Sequence, residues 1–171
     1  MKGTPLAAGD ALALLRENLS RLSALIAGRS SAELHTARQP EEWSANDVLA
    51  HLRACGDVWG GNIAKILANE HPLIAGINPR TWMKRTEYPL CRFDEAFAAF
   101  STQRQLLLDT LAALTPGDWE RTASVTAYGQ SNERTLRSYA SQLANHEQTH
   151  IRQVERILGL PSPVSSLETP P

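Results

Sequence analysis

Two histidines four residues apart, His146 and His150, stand in the segment Asn145-His146-Glu147-Gln148-Thr149-His150. On a helix this spacing puts both imidazoles on one face, one turn apart. Two such rings aimed at one point begin a site for a divalent metal ion; the other readings are a surface pair or a hydrogen-bonded pair inside a core. His51 is the natural third member, because it follows the apolar run Val48-Leu49-Ala50, typical of a buried helical turn. Three neutral imidazoles leave an ion's charge uncompensated and a coordination position open. On zinc, water at an open position has its pKa lowered to about 7. Such a position also takes a thiolate or a substrate oxygen, so a three-histidine site is reactive where a closed four-ligand site is structural. Cys55 and Glu147 are the local candidates for a fourth ligand, and Cys55, one turn after His51, reads first as a core residue. Glu147 and Asp47 are candidates for orienting a ligand imidazole from behind. His35 and His71 fall in connecting segments and are read as outside the site.

Long helices must hold these side chains. With Leu143 set at zero and about 100° per residue, Leu136, Tyr139, Ala140, Val154, Ile157 and Leu158 fall between roughly −40° and +60°. On the same scale His150 lies near about −20°, Glu147 near about +40°, and His146 near about −60°, just past one edge of the stripe. A glutamate facing a core requires a partner or a nearby cation. The same construction puts His51 at the edge of its own stripe, on the side of Asp47, Cys55, Val58 and Asn62. Edge positions on two helices suit a site at the mouth of a bundle, reachable from solvent.

Four segments carry the helical period, and none alternates convincingly as a strand. The first runs from Pro5 to Ala27, with Leu12, Leu15, Leu19, Leu22 and Ile26 on one side and Gly28 as a stop. The second starts at Ser44, an N-cap with Asp47 at capping-box distance, and continues to Asn69; Gly60-Gly61 inside it marks a kink or a close packing contact. The third runs from Phe93 or Asp94 to Leu114, where Thr115-Pro116-Gly117 ends it, and the fourth from Thr135 to Leu158. Lengths of roughly 22–26 residues, or roughly 33–39 Å, match one another as an all-α four-helix bundle requires. The links between helices two and three, and between three and four, are long. Glu70–Arg92 holds three prolines and Trp82 and is expected to serve as a lid, crossover or interface. Gly117–Arg134 has room for a short hairpin around Tyr128-Gly129. Trp43, Trp59, Trp82 and Trp119 read as packing residues, Trp82 being the one placed to line a pocket. Arg134, Arg137, Arg152 and Arg156 read as a solvated face, with anion binding as the alternative.

At 171 residues the chain reads as a single domain over 1–160, followed by a disordered Pro/Ser-rich tail over 161–171. A net charge of −1 gives no basic field for nucleic acid. No stretch reaches the ~18 apolar residues of a membrane span, and the N-terminus is a poor signal peptide. Two cysteines without a metal-type pair point to reduced thiols and a cytoplasmic setting. Pairing into a homodimer is compatible with the helical faces, without a decisive apolar patch.

At the second and fourth helices the chain resembles the DinB-like superfamily, four-helix proteins named for a damage-inducible gene product. The resemblance rests on Glu42-Trp43-Ser44-Ala45-Asn46-Asp47-Val48-Leu49-Ala50-His51-Leu52 and on the run from His146 to Ile157, with Asp118-Trp119, Tyr128-Gly129 and Thr135-Leu136 between them. It extends from about residue 6 to residue 160. It implies that His51, His146 and His150 bind a divalent metal, zinc or nickel. It also implies an enzyme acting on a small molecule, either a thiol S-transferase that uses a low-molecular-weight thiol or a hydrolase. Characterised relatives include such transferases and a mycothiol-dependent maleylpyruvate isomerase, while other members are described only as metal-dependent hydrolases or have no assigned activity. The alternative is a non-catalytic stress-response or small-molecule-binding module with a structural or vestigial metal.

Overall fold

Ser44 starts the helix that carries His51. Its hydroxyl accepts from the Asp47 amide at 3.2 Å, and the Asp47 carboxylate accepts in return from the Ser44 amide at 2.9 Å, closing a capping box. The computed structural model describes residues 4–127 and 129–160; Tyr128 and the tail expected to be disordered, 161–171, lie outside them. In chain order the helices are α1 (Ala8–Ile26), α2 (Ser31–His35), α3 (Ala45–Cys55), α4 (Gly61–Ala68), α5 (Pro79–Met83), α6 (Phe93–Ala112), α7 (Pro116–Trp119) and α8 (Leu136–Ile157). The strands are β1 (Leu73–Ala75), β2 (Thr122–Ala127) and β3 (Gln130–Thr135). A five-residue π-helical turn, Gly56–Gly60, joins α3 to α4 in one continuous run. With that run counted as one helix, α1, α3–α4, α6 and α8 form a four-helix bundle.

The bundle buries two apolar clusters. One, around Leu22, Leu49, Leu52, Phe100 and Ile151, packs α3 against α1, α6 and α8. The other, around Leu15, Ile63, Ile66, Leu136 and Leu143, packs α4 against α1 and α8. In the interior Arg104 of α6, fully buried, forms an ion pair with Glu147 of α8. No described helix is long and apolar enough to cross a membrane.

The links hold more structure than the periodicity indicates. The first contains α2, started by a capping box between Ser30 and Glu33. Glu70–Arg92 contains β1, α5 and a 3-10 turn at Tyr88–Leu90. Thr115-Pro116-Gly117, expected only to end the third helix, also starts α7 through the Thr115 cap. The absence of strands is corrected: β1 pairs in parallel with β2, and β2 antiparallel with β3. The expected hairpin is present, with Ala127 opposite Gln130 and Gly129 at φ +74. Helix α1 starts at Ala8 rather than Pro5, and α6 stops at Ala112, two residues before the expected end.

The π turn has a task in this arrangement. It presents Asp57, whose carboxylate accepts from the Trp82 indole (3.0 Å), the Tyr88 hydroxyl (2.8 Å) and the Gln103 amide (2.7 Å). Trp82 therefore clamps the long connection to the bundle. Asp57→Ala strands three donors and is expected to cost about 2–3 kcal/mol in urea unfolding, with Asp57→Asn intermediate because its one oxygen still accepts. An Ala variant as stable as the parent would show that this hub does not hold the connection in place.

Candidate metal centre

His51 comes from the second turn of α3, and His146 and His150 from successive turns of α8. The two helices bring the Nε2 atoms of His51 and His150 each against His146 Nε2, with the His51 and His150 ring centres 4.8 Å apart. His51 Nε2 lies 2.9 Å from His146 Nε2, which lies 3.1 Å from His150 Nε2. His51 and His150 are buried, while His146 is half-buried. The tautomer of His150 is fixed: its Nδ1 sits 2.8 Å from the Gln153 amide oxygen, which can only accept. The proton is therefore on Nδ1, and Nε2 offers a lone pair. Lone pairs converging at about 3 Å repel unless a proton or a cation lies between them. Nitrogens around a tetrahedral zinc, at 2.0–2.1 Å from the ion, are about 3.3 Å apart. The observed separations are within a few tenths of an ångström of that, so the trio fits a divalent ion.

Electrostatics favour the neutral, ligating form. Burial pushes His51 down to about 3, with the neighbouring imidazoles and Arg80 adding to the shift. Burial, with His150 and Arg80, pushes His146 down to about 4. His150 is also lowered by burial, against the raising effect of its bond to Gln153. The linkage has a definite sign. Unfolded imidazoles take up protons near 6.5 and folded His51 and His146 only near 3 and 4, so the metal-free fold has its full stability above about pH 6.5 and loses it as pH falls toward 4. The urea midpoint of metal-free protein is therefore expected to drop between pH 7 and pH 5, and by less in His146→Gln. An equal drop in both would remove the cluster as its source.

Aromatic rings wall the site. Trp43 lies nearly parallel to His150 at 6.1 Å and tilted against His51 at 5.2 Å, and Trp59 meets His146 edge-on at 5.0 Å. Beside the histidines opens a cavity of about 630 Å³ that reaches His51 and His146. Cys55 lies on the other side, fully buried, its Sγ 3.5 Å from His51 Nε2. The Cys55, His51 and His146 donor atoms all fall within 4.8 Å of one another, so Cys55 is within reach as a further donor. Burial pushes its thiol pKa far above the usual range, which keeps it protonated.

The two carboxylates expected behind the ligands are elsewhere. Asp47 is consumed by the Ser44 cap, and Glu147 turns into the core toward Arg104. Burial pushes Glu147 up to about 7, against the pull of Arg104. Among the described residues neither is hydrogen-bonded to an imidazole. The residue that does orient a ligand, Gln153, was missed, although it stands one turn after His150, the spacing that places two side chains on one helical face. His71 bonds Thr122 and Ser124, and His35 bonds Ser31, both away from the trio. Arg134, read as part of a solvated face, is half-buried and lines the cavity.

The model of the DinB superfamily matches the chain over residues 14–154. No curated protein matches it. Among solved structures the chain is similar to YfiT from Bacillus subtilis, described as a probable metal-dependent hydrolase with an unusual four-helix bundle topology. The likeness has a TM-score of 0.73 and 16% identity over 94% of each chain. At that identity it speaks for the fold.

Proposed function

The chain belongs to the DinB superfamily, and from that premise we propose a divalent-metal-dependent enzyme in which His51, His146 and His150 hold zinc or nickel and a low-molecular-weight thiol or a water is activated beside them. One observation carries this reading: the Nε2 atoms of His51 and His150, from two helices, both lie within 3.1 Å of His146 Nε2, and His51 and His146 line a cavity that substrate can enter. A bound ion supplies Lewis acidity, which lowers the pKa of a thiol or water brought to it. The chain's own residues do the rest. Gln153 holds the proton on His150 Nδ1, Trp43 packs against His51 and His150, and Trp59 meets His146 edge-on where it lines the cavity.

Thiol S-transfer is the better supported branch. Among the described residues no Asp or Glu lines the cavity, and Asp47 and Glu147 are already engaged. Attack by water calls for a base to take its proton, commonly a carboxylate or a histidine. A thiol, with an ordinary pKa of about 8.5, needs only a modest shift to ionise at neutral pH. The description of YfiT as a probable metal-dependent hydrolase supports the other branch.

The nearness of Cys55 favours a second reading, in which its sulfur completes a closed, structural site. Untagged full-length protein loaded with cobalt(II) distinguishes the two. The enzyme reading expects one ion per chain and a thiolate-to-cobalt absorption band that appears only when a small thiol is added, in the parent and in Cys55→Ala alike. A band present before thiol and lost in Cys55→Ala would establish the closed site instead. Failure to take up a stoichiometric ion would end both.

A further inference from the structure

The cavity beside the histidines is lined by two guanidinium groups and, among the described residues, by no acid. Arg80 enters it from the first turn of α5, its amide held by the Asn78 cap at 2.9 Å. Its guanidinium lies 5.1 Å from the centre of the Trp43 ring. Arg134 enters from the end of β3. Its guanidinium lies over the Tyr139 ring at 4.0 Å, and it donates from Nε to the Ser138 hydroxyl and from Nη2 to the Ser138 carbonyl, both at 3.2 Å. Those bonds use two of the five N–H groups of the fork, and with the Tyr139 side chain beside it they hold its plane, leaving further N–H groups for a ligand.

Arg21, Arg29, Arg92, Arg104, Arg121 and Arg137 each lie against a carboxylate. Among the described residues neither Arg80 nor Arg134 has an acidic partner within ion-pair distance. Asn62 and Gln142, which share the wall, are neutral. A pre-oriented, half-buried guanidinium without a counter-charge, joined by a second lining the same cavity, is how proteins recognise planar or tetrahedral oxyanions.

We propose that this cavity binds small molecules bearing an oxyanion, a carboxylate or a phosphate, through Arg134 and Arg80. The histidine cluster stands at the reacting end, an orientation that rests on the metal-dependent reading, whereas the binding itself does not. The charged group would be seated by the arginines while the reactive thiol or electrophilic carbon of the same molecule, or of its co-substrate, faces the imidazoles.

The test is an NMR titration of full-length protein, as purified and after metal stripping, with succinate, inorganic phosphate and the uncharged succinamide, following arginine Nε–Hε and tryptophan indole signals. Saturable binding of succinate or phosphate is expected, about tenfold or more tighter than succinamide, and about tenfold weaker in Arg134→Gln and in Arg80→Gln. The tighter of the two anions identifies the oxyanion. Arg137→Gln, outside the cavity, should bind as the parent does. Arg80 is exposed on a short helix, so its variant keeps the test decisive if Arg134→Gln disturbs the hairpin. Equal response to all three probes, no response, or anion binding untouched by the Arg80 substitution would overturn the proposal. Arginine-dependent binding in a chain that takes up no metal would leave this site standing and remove the metal reading; metal uptake without anion discrimination would do the reverse.

Discussion

His51→Ala is expected to abolish stoichiometric divalent-metal binding while leaving the bundle folded. The other two ligands share α8 and stay one turn apart, but a pair on one helix lacks the third donor that α3 brings to 2.9 Å from His146. Losing even an outer partner of a ligand typically costs 10–100-fold in affinity, so losing the ligand itself should cost more than about 100-fold. The fold should tolerate it. His51 Nδ1 is buried with no hydrogen-bond partner among the described residues, and the ring's polar contacts run through Nε2 to His146 and Cys55 alone, so its removal takes away one unsatisfied buried atom and costs few bonds. The check is elemental analysis of untagged protein alongside urea unfolding of the metal-free forms, with His35→Ala as a control that keeps its metal. Stoichiometric metal in His51→Ala would sink the three-histidine centre. Gln153→Ala should show the smaller, 10–100-fold loss.

The second large effect lies in the bundle interior. Arg104→Met should destabilise the protein by about 3–5 kcal/mol, because it leaves the buried Glu147 without its counter-charge. That is a substantial part of the 5–15 kcal/mol typical of a whole domain. The double variant Arg104→Met/Glu147→Leu should recover most or all of the loss, since apolar side chains of similar volume commonly replace a buried pair at no cost. Urea unfolding of the four members of this cycle is the measurement. A double variant as unstable as the single would mean that the pair is held by packing rather than by charge.

The legible and illegible parts of this chain differ for physical reasons. The long helices announce themselves through apolar residues at helical spacing, and Ser44 with Asp47 through capping chemistry. The hairpin showed through its glycine, the residue best suited to a positive φ. Its strands did not: β3 is Gln-Ser-Asn-Glu-Arg-Thr, with no buried residue to set a period of two, and β2 buries only Ala123 and Val125. The trio of histidines was named from its spacing and resemblance, and the structure sets the Nε2 atoms of His51 and His150 at 2.9 and 3.1 Å from that of His146. The supporting residues were misassigned because a carboxylate one residue from a ligand is an obvious candidate, whereas local capping and a distant arginine claim Asp47 and Glu147 first. Arg80 could not be attributed to the site at all, because its place depends on the path of a connection that Asp57 holds from across the chain.

The π turn at Gly56–Gly60 has an implication for how this lineage can vary. One additional residue per turn advances everything after it by about 100° relative to an uninterrupted α-helix. Upstream, the helix is phased so that His51 meets α8; downstream, it is phased so that Ile63 and Ile66 enter the second apolar cluster. A single-residue deletion within Gly56–Gly60 would restore regular winding and put those two demands out of step, so that either the imidazole or the isoleucines must face the wrong way. The ligand half and the scaffold half of this helix are thus separate modules joined by a phase shifter, free to accept substitutions independently but intolerant of any change in the count of residues between them.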